Sequence, residues 1–188
     1  MFVNKIVGVD LLKYRSFVYL CVVDNFHLPF CNEFLMINTS NGNIELQNFQ
    51  TILEKEMQFD SLQKSFFYKS LNKGERGVKT EYIWYDFNSF EILSYKIVIS
   101  TCFYKDFLHS IRFTTISDSD PKDWSEWSKK VEIDIYERNN KFLSCIIKSK
   151  PEIASNPFPI TEFKFKWGVV WSCYDEKSAS SSMGLRYV

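Results

Sequence analysis

The alternation of apolar and polar residues is the feature that most restricts what this chain can fold into. It runs through most of residues 80–172, with turn-forming residues between its segments. In one segment, Val131, Ile133 and Ile135 occupy every second position, as they would in a strand with one buried face. The sequence therefore predicts a long antiparallel meander. Its strands are expected at residues 82–84, 90–101, 108–117, 131–136, 142–148 and 162–172, after three earlier ones at 5–12, 16–23 and 33–38.

Residues 44–71 follow a different period. Five apolar residues there are spaced three and four apart, so a helix would place them on one face. They are Leu46, Phe49, Ile52, Leu53 and Met57. Asp60 followed by Gln63 resembles a capping box that begins a second helix. The segment therefore predicts two helices, and the two glycines within residues 72–79 favour a loop after them.

The order of these elements indicates an α+β fold, in which an antiparallel sheet carries the two helices of residues 44–71 on one face. The chain has 188 residues, and no linker or repeat divides it. A single globular domain is therefore expected over residues 1–174. Residues 175–188 are rich in serine and other small residues, so we expect a loosely ordered tail there.

The balance of charge argues against a nucleic-acid partner. The chain has 23 Lys and Arg residues and 23 Asp and Glu residues, so its formal net charge is zero. Nucleic-acid binding draws on Lys and Arg concentrated in one region, and no such run occurs along the chain. We therefore predict no direct contact with nucleic acid.

The sequence also predicts a cytoplasmic protein without a membrane segment. The apolar stretch of residues 17–23 is shorter than the roughly 20 residues needed to cross a bilayer, and the first residues lack a signal-peptide pattern. The five cysteines are odd in number, and none belongs to a CxxC motif, so we expect buried thiols. They are Cys21, Cys31, Cys102, Cys145 and Cys173.

Residue types that carry catalysis are sparse. His27 and His109 are the only histidines, and no nucleophile, Gly-rich phosphate loop or metal-ligand motif occurs at a recognisable spacing. We predict no catalytic residue, no metal site and no cofactor. Catalytic partners can meet in the fold from distant parts of a sequence, so a hydrolase-like enzyme with a dispersed active site remains an alternative.

Residues 118–127 combine four acidic residues with two tryptophans. Pro121 and the aspartates favour a connection between strands, and tryptophans are enriched at the centres of protein interfaces. The alternative is that both tryptophans fold back onto the sheet as part of the core. We predict that the acidic and Trp residues of this segment contact a partner protein: Asp118, Asp120, Asp123, Trp124, Glu126 and Trp127.

Residues 124–128, Trp-Ser-Glu-Trp-Ser, resemble the WSxWS box of cytokine-receptor fibronectin modules. That resemblance implies a box that precedes the last strand and stacks with arginines of a neighbouring strand. The sequence supplies Arg112 but no ladder of arginines, and it has unpaired cysteines and a helical pattern at residues 44–71. These departures leave the chain unassigned to that family.

The aromatic content of 18%, the neutral charge and the sparse reactive residues together indicate a protein that acts through its shape. The expected function is stoichiometric binding of another protein, as by an immunity protein or inhibitor that neutralises a toxin or enzyme. A basic toxin or nuclease domain is one candidate partner, because complementary charge speeds encounter. The alternatives are the enzyme with a dispersed site and a β-rich carrier whose aromatic residues line a cavity for a small molecule or lipid.

Overall fold

A computed structural model of the chain describes residues 35–77, 81–147, 149–154 and 159–188. These residues belong to one compact unit. The strands predicted at residues 5–12 and 16–23 lie outside the described residues, as do His27, Cys21 and Cys31.

The described residues form twelve strands and two α-helices. The strands are β1 (Leu35–Ile37), β2 (Ile44–Leu46), β3 (Thr51–Leu53), β4 (Leu71–Gly77), β5 (Tyr82–Phe87), β6 (Phe90–Ile92), β7 (Tyr95–Tyr104), β8 (Phe107–Ile116), β9 (Glu152–Ala154), β10 (Ile160–Phe165), β11 (Gly168–Asp175) and β12 (Ser180–Tyr187). The helices are α1 (Phe59–Gln63) and α2 (Lys129–Ile146), and single 3-10 turns occupy Gln47–Phe49 and Phe67–Ser70.

The strands build two antiparallel sheets. The smaller sheet has the order β1–β2–β3. The larger sheet has nine strands in the order β4–β5–β7–β8–β12–β11–β10–β9, with β6 also paired to β7. Most neighbours in the larger sheet are consecutive in the chain. There are two exceptions. β5 pairs with β7, with the short strand β6 between them in the chain, and β12 lies between β8 and β11 and so joins the two halves of the sheet.

The helix α2 begins after Ser128, which caps it. The Ser128 hydroxyl accepts a hydrogen bond from the backbone N–H of Val131 (3.2 Å), and this satisfies one of the free donors of the first turn. The buried positions of α2 recur at spacings of four and three, so they form one face of the helix. This face comprises Glu132, Tyr136, Asn139, Phe142, Leu143 and Ile146.

Polar side chains on the buried face of α2 attach the helix to two strands of the larger sheet. Oε2 of Glu132 accepts a hydrogen bond from the backbone N–H of Ser181 in β12 (2.7 Å). Oδ1 of Asn139 accepts one from the hydroxyl of Thr115 in β8 (2.7 Å). Because buried polar groups are costly without partners, these bonds fix which residues of α2 face the sheet.

Aromatic side chains connect the short elements of residues 44–70 to the larger sheet. The ring of Phe67 stacks on Phe87 of β5 with 3.9 Å between centroids, and Phe49 meets it edge-on at 5.2 Å. Phe67 and Phe87 belong to a core cluster that also contains buried residues of both sheets, and the partly buried Phe49 packs against it. The two sheets therefore share one hydrophobic core.

The turn between β1 and β2 is held by the end of the larger sheet. Nε1 of Trp167 donates a hydrogen bond to the carbonyl oxygen of Thr39 (2.9 Å). The hydroxyl of Tyr187 donates one to the carbonyl oxygen of Gly42 (3.0 Å). Since Trp167 and Tyr187 are both buried, this contact is part of the core rather than a surface attachment.

The α+β class and the antiparallel sheet are confirmed. Of the two helices predicted at residues 44–71, the first is wrong and the second is much shorter than predicted. That segment contains β2, β3 and the five-residue helix α1. Leu46 and Leu53 are buried in β2 and β3, because short apolar runs can satisfy both a strand period and a helix period. The predicted capping box is also wrong, since Gln58 precedes α1 and its side chain makes no cap.

The long helix α2 occupies residues predicted to form strands at 131–136 and 142–148. The alternation of Val131, Ile133 and Ile135 suggested a strand, yet all three are only half-buried. The side chains that face the sheet include Glu132 and Asn139, which an analysis of apolar periodicity does not count. The helix was missed because polar residues occupy part of its buried face.

Three further segments differ from expectation. Residues 162–172 form parts of two strands, because β10 ends at Phe165 and β11 begins at Gly168. The expected loop at residues 72–79 includes most of β4. The expected loose tail at 175–188 contains β12, whose Met183, Leu185 and Tyr187 are buried. The three serines at the start of β12 are ordered because they pair with β11.

The buried phenol of Tyr187 predicts a loss of stability at alkaline pH. Burial, with a smaller effect from Glu54, raises the pKa of Tyr187 well above its ordinary value near 10. The folded state therefore holds this proton more tightly than the unfolded state, and its stabilising effect is lost as pH rises above about 10. We expect Tyr187→Phe to cost about 1 kcal/mol at neutral pH through the lost hydrogen bond. The variant should then lose stability less steeply than the wild type in urea titrations above pH 10, whereas parallel curves would contradict this account.

Candidate functional site

The connection from β8 to α2, residues 117–128, is hereafter the acidic Trp loop. It contains all six residues predicted to contact a partner. Two backbone hydrogen bonds shape it, from Asp120 N–H to the Ser117 carbonyl (3.0 Å) and from Glu126 N–H to the Asp123 carbonyl (3.3 Å). The loop is therefore a pair of successive turns rather than an extended connection.

Arg138 of α2 holds the first of these turns. Its Nη1 and Nη2 donate to Oδ1 and Oδ2 of Asp120 at 2.8 and 2.7 Å, which is a bidentate pairing. The same guanidinium donates from Nε to the hydroxyl of Thr115 (3.0 Å) and from Nη2 to the Thr115 carbonyl (3.1 Å). Oδ2 of Asp120 also accepts the backbone N–H of Ser117 (2.8 Å). Strand, loop and helix are thus joined at one ion pair.

Trp127 holds the other end of the loop. Its indole N–H donates to the carbonyl oxygen of Ala179 (2.8 Å), in the turn between β11 and β12. The neighbouring Lys129 forms an ion pair with Glu176 of the same turn (3.1 Å). Trp127 is half-buried and immediately precedes the helix cap at Ser128. It therefore secures the loop to the sheet.

Trp124 lies between these two attachments and is 76% exposed. Its ring centroid is 6.1 Å from that of Trp127, with 49° between the ring planes. Burying an indole is among the larger gains available to a protein surface. A tryptophan that remains this exposed on a braced loop is available for contact with another molecule.

The carboxylates on either side of Trp124 are oriented by the loop itself. Oδ1 of Asp123 accepts hydrogen bonds from the hydroxyl and the backbone N–H of Ser125 (2.5 and 2.8 Å). These bonds hold the pKa of Asp123 below its ordinary value, so it stays charged to lower pH. Oε2 of Glu126 accepts the backbone N–H of Lys122 (2.9 Å). Both side chains are exposed and keep further lone pairs for a partner.

The structure divides the six predicted residues into two groups. Asp120 and Trp127 are bonded to the body of the protein and support the loop. Asp120 pairs with Arg138. The sequence did not identify Arg138, because it lies between two segments that were predicted as strands, at residues 131–136 and 142–148. The other four are exposed on the loop: Asp118, Asp123, Trp124 and Glu126.

The surroundings of His109, Cys102 and Cys173 bear on the alternative of a dispersed active site. His109 packs edge-on against the ring of Tyr82, with 5.4 Å between centroids. Burial raises the pKa of Cys102 more than a hydrogen bond with Ser110 lowers it. Burial likewise raises the pKa of Cys173. Both thiols are therefore poor nucleophiles at neutral pH.

Three further features of the described residues concern metal ions, pockets and membrane spans. No group of three or more His, Cys, Asp or Glu side chains among them is placed to share a metal ion. A shallow depression beside Leu46, Phe49 and Phe90 has room for about one water molecule, which is too little for a drug-sized ligand. Within the described ranges, no helix is both long and apolar enough to cross a bilayer.

The WSxWS-like residues occur in a different setting from the one that the resemblance implies. They lead into α2 rather than into a strand, and Ser128 is the helix cap. Arg112 stacks over Trp84 of β5 at 4.8 Å rather than on the loop tryptophans. Comparison with protein-family models, curated proteins and solved structures finds no match to this chain.

Proposed function

We propose that this protein is an interaction module that binds another protein stoichiometrically, in the manner of an immunity protein or inhibitor of a toxin or enzyme. The observation that carries the proposal is the 76% exposure of Trp124 on a loop whose two ends are bonded to the fold. A catalytic role would rest on a reactive constellation, whereas this arrangement offers a shaped surface.

Rigidity of the acidic Trp loop favours binding energetically. Association costs the ordering of side chains and loops at an interface, so a surface that is already ordered retains more of the energy gained. The pairing of Asp120 with Arg138 and the bond from Trp127 to Ala179 supply that order before any partner arrives. Trp124 then contributes apolar area at the centre of the contact.

Charge indicates the chemistry of the partner. Residues 118–126 contain four carboxylates and one lysine. Asp120 is already paired with Arg138, which leaves Asp118, Asp123 and Glu126 around Trp124. A partner with a basic surface and an apolar recess would match this group, and a basic toxin or nuclease domain is one such partner. Cys102, Cys145 and Cys173 form no disulfide bond, which is in keeping with an encounter in the cytoplasm.

Replacing Trp124 by alanine tests the proposal. We expect the affinity for the partner to fall at least about 30-fold, equivalent to about 2 kcal/mol, with the melting temperature unchanged. Two sources of the partner would be tested: the product of the neighbouring gene, and proteins that the chain retains from native lysate. The dissociation constant would then be measured by calorimetry.

Two variants serve as controls for this measurement. Phe66→Ala removes another exposed aromatic side chain outside the loop and should leave the affinity unchanged. Trp127→Ala should lower stability, because the hydrogen bond to Ala179 is lost. An unchanged dissociation constant for Trp124→Ala, or a loss of stability equal to that of Trp127→Ala, would refute the assigned role.

A further inference from the structure

A second surface lies on the side of the larger sheet that faces away from α2. Helix α2 bonds to Thr115 of β8, and Phe67 packs on Phe87 of β5, so both lie on the same side of the sheet. Side chains at the intervening positions point to the opposite side, because strand residues alternate between faces. No described element packs on this opposite side.

The register between β8 and β12 places two arginines close together on this side of the sheet. Arg112 of β8 is opposite Gly184 of β12, and Arg186 of β12 is opposite Ser110 of β8. The two arginines are therefore diagonal neighbours on one face, about 7–8 Å apart at the backbone. Both are exposed, and neither forms an ion pair with another described residue. Among the described residues, the carboxylate nearest in register is Asp86, which lies two strands from Arg112 in the same row of the sheet.

Two tryptophans flank the arginines. The guanidinium of Arg112 lies over the ring of Trp84, 4.8 Å from its centroid. Trp171 of β11 is opposite Gly184, and its ring would lie 3.3 Å from a Cβ placed at that glycine. The indole therefore extends across Gly184 toward β8. We name these four residues, Trp84, Arg112, Trp171 and Arg186, the basic face.

The flanking strands limit the size of this surface. Among outward positions of β7, β8 and β12 there is no Asp or Glu. Asp86 of β5 accepts a hydrogen bond from Ser100 (2.6 Å), and Glu162 of β10 pairs with Lys164 (3.5 Å). Positive charge is therefore confined to a short strip between carboxylate-bearing strands.

We propose that the basic face binds a short segment of single-stranded nucleic acid. Proteins that bind single strands combine planar side chains with cationic ones. The bases stack on aromatic rings and on guanidinium planes, while the phosphates pair with arginine. Trp171 and the Arg112 plane would receive bases, and Arg112 and Arg186 would pair with phosphates. An acidic protein segment would use the charges but not the stacking planes.

This inference departs from the sequence-based prediction of no direct contact with nucleic acid. That prediction considered basic runs along the chain, whereas Arg112 and Arg186 are far apart in sequence and become neighbours only through the pairing of β8 with β12. The basic face shares no residue with the acidic Trp loop. Its test is therefore independent of the proposed protein partner.

Titration of fluorescein-labelled oligo(dT) and oligo(rU) with the full-length protein, followed by anisotropy at low salt, tests the proposal. Each phosphate neutralised on a single strand contributes about 0.7 to the salt dependence, so two arginines predict a log–log slope of about −1.4. We expect Arg112→Gln and Arg186→Gln to halve that slope. Trp171→Ala should weaken binding roughly 5-fold or more with the slope unchanged, because stacking does not depend on counterions.

Matched variants separate this proposal from a general charge effect. Lys164→Gln removes an exposed cation from the same side of the sheet, but one already paired with Glu152 and Glu162, and should change nothing. Arg112→Lys keeps the charge and removes the stacking plane, so it should weaken binding while retaining the slope. Circular dichroism and melting temperature verify that each variant is folded.

Three results would overturn the proposal. One is no anisotropy change at low salt, and another is equal binding of a double-stranded probe, which offers no free bases. The third is equally tight, arginine-dependent binding of a labelled poly-glutamate peptide, which would assign the surface to an acidic protein segment. Trp124→Ala should leave oligonucleotide binding unaffected, so failure here says nothing about the acidic Trp loop.

Discussion

Replacing Phe67 by alanine is expected to lower the free energy of unfolding by about 4 kcal/mol, through lost apolar contact and the cavity left behind. Phe67 is 0% exposed and stacks on Phe87 at 3.9 Å between centroids. It also meets Phe49 and Phe90 edge-on. These rings come from both sides of the shared core, so the cavity cannot close by moving one side chain. Urea denaturation would measure the loss, with a fall in melting temperature of roughly 10 °C.

The adjacent Phe66 provides the matched control for this prediction. It is 58% exposed, and its only described partner is the ammonium of Lys69, 4.3 Å from the ring centroid. Phe66→Ala should therefore cost less than about 1 kcal/mol. Equal losses for the two phenylalanines would show that the core does not depend on Phe67 in the way described.

Replacing Gly42 by alanine is expected to cost about 3 kcal/mol. The glycine has φ of +79°, a left-handed conformation that costs alanine about 1 kcal/mol. A Cβ there would also overlap the ring of Trp167. Neither residue can move freely, because Trp167 is bonded to Thr39 and the carbonyl of Gly42 is bonded to Tyr187. Forced overpacking of this kind typically costs about 1–3 kcal/mol.

Ser40→Ala is the control for Gly42→Ala, since it introduces the same side chain in the same turn. Ser40 is exposed, and its hydrogen bond to Asn38 is made by the backbone N–H, which alanine retains. Thermal unfolding should show little change for Ser40→Ala. A Gly42→Ala variant as stable as the wild type would mean that the β1–β2 turn is not held against Trp167.

The fold could be predicted from sequence where one periodicity was unambiguous. Residues 33–38, 82–84 and 108–117 were predicted as strands, and β1, β5 and β8 lie there. Residues 90–101 were predicted as one strand, but Leu93 and Ser94 both have positive φ and form a turn between β6 and β7. Neither is a residue that commonly marks such a turn, so the sequence carried no signal for it.

The helix α2 shows why the remaining pattern was misread. Its buried face mixes apolar residues with Glu132 and Asn139, which are accommodated by hydrogen bonds to Ser181 and Thr115. A polar residue can be identified as buried only when its partner is known, and these partners are about 50 and 24 positions away in the chain. The required information is tertiary, whereas apolar periodicity is local.

Composition identified the segment that contains the candidate site, but it did not show which residues of that segment are exposed and which support the loop. The density of acids and tryptophans identified residues 118–127, and the loop is where they lie. Composition could not separate Trp124 from Trp127, because the difference between them is the carbonyl of Ala179 in a distant turn. Composition also could not show that the Asp120 carboxylate forms an ion pair with Arg138.

The position of β12 also has a bearing on synthesis. Before residues 180–187 leave the ribosome, β8 and β11 each present an unpaired edge, because β12 is the strand that both of them pair with. Unpaired edges recruit strands from other chains. A pause in translation at residues 180–187 would therefore prolong the interval in which nascent chains can aggregate.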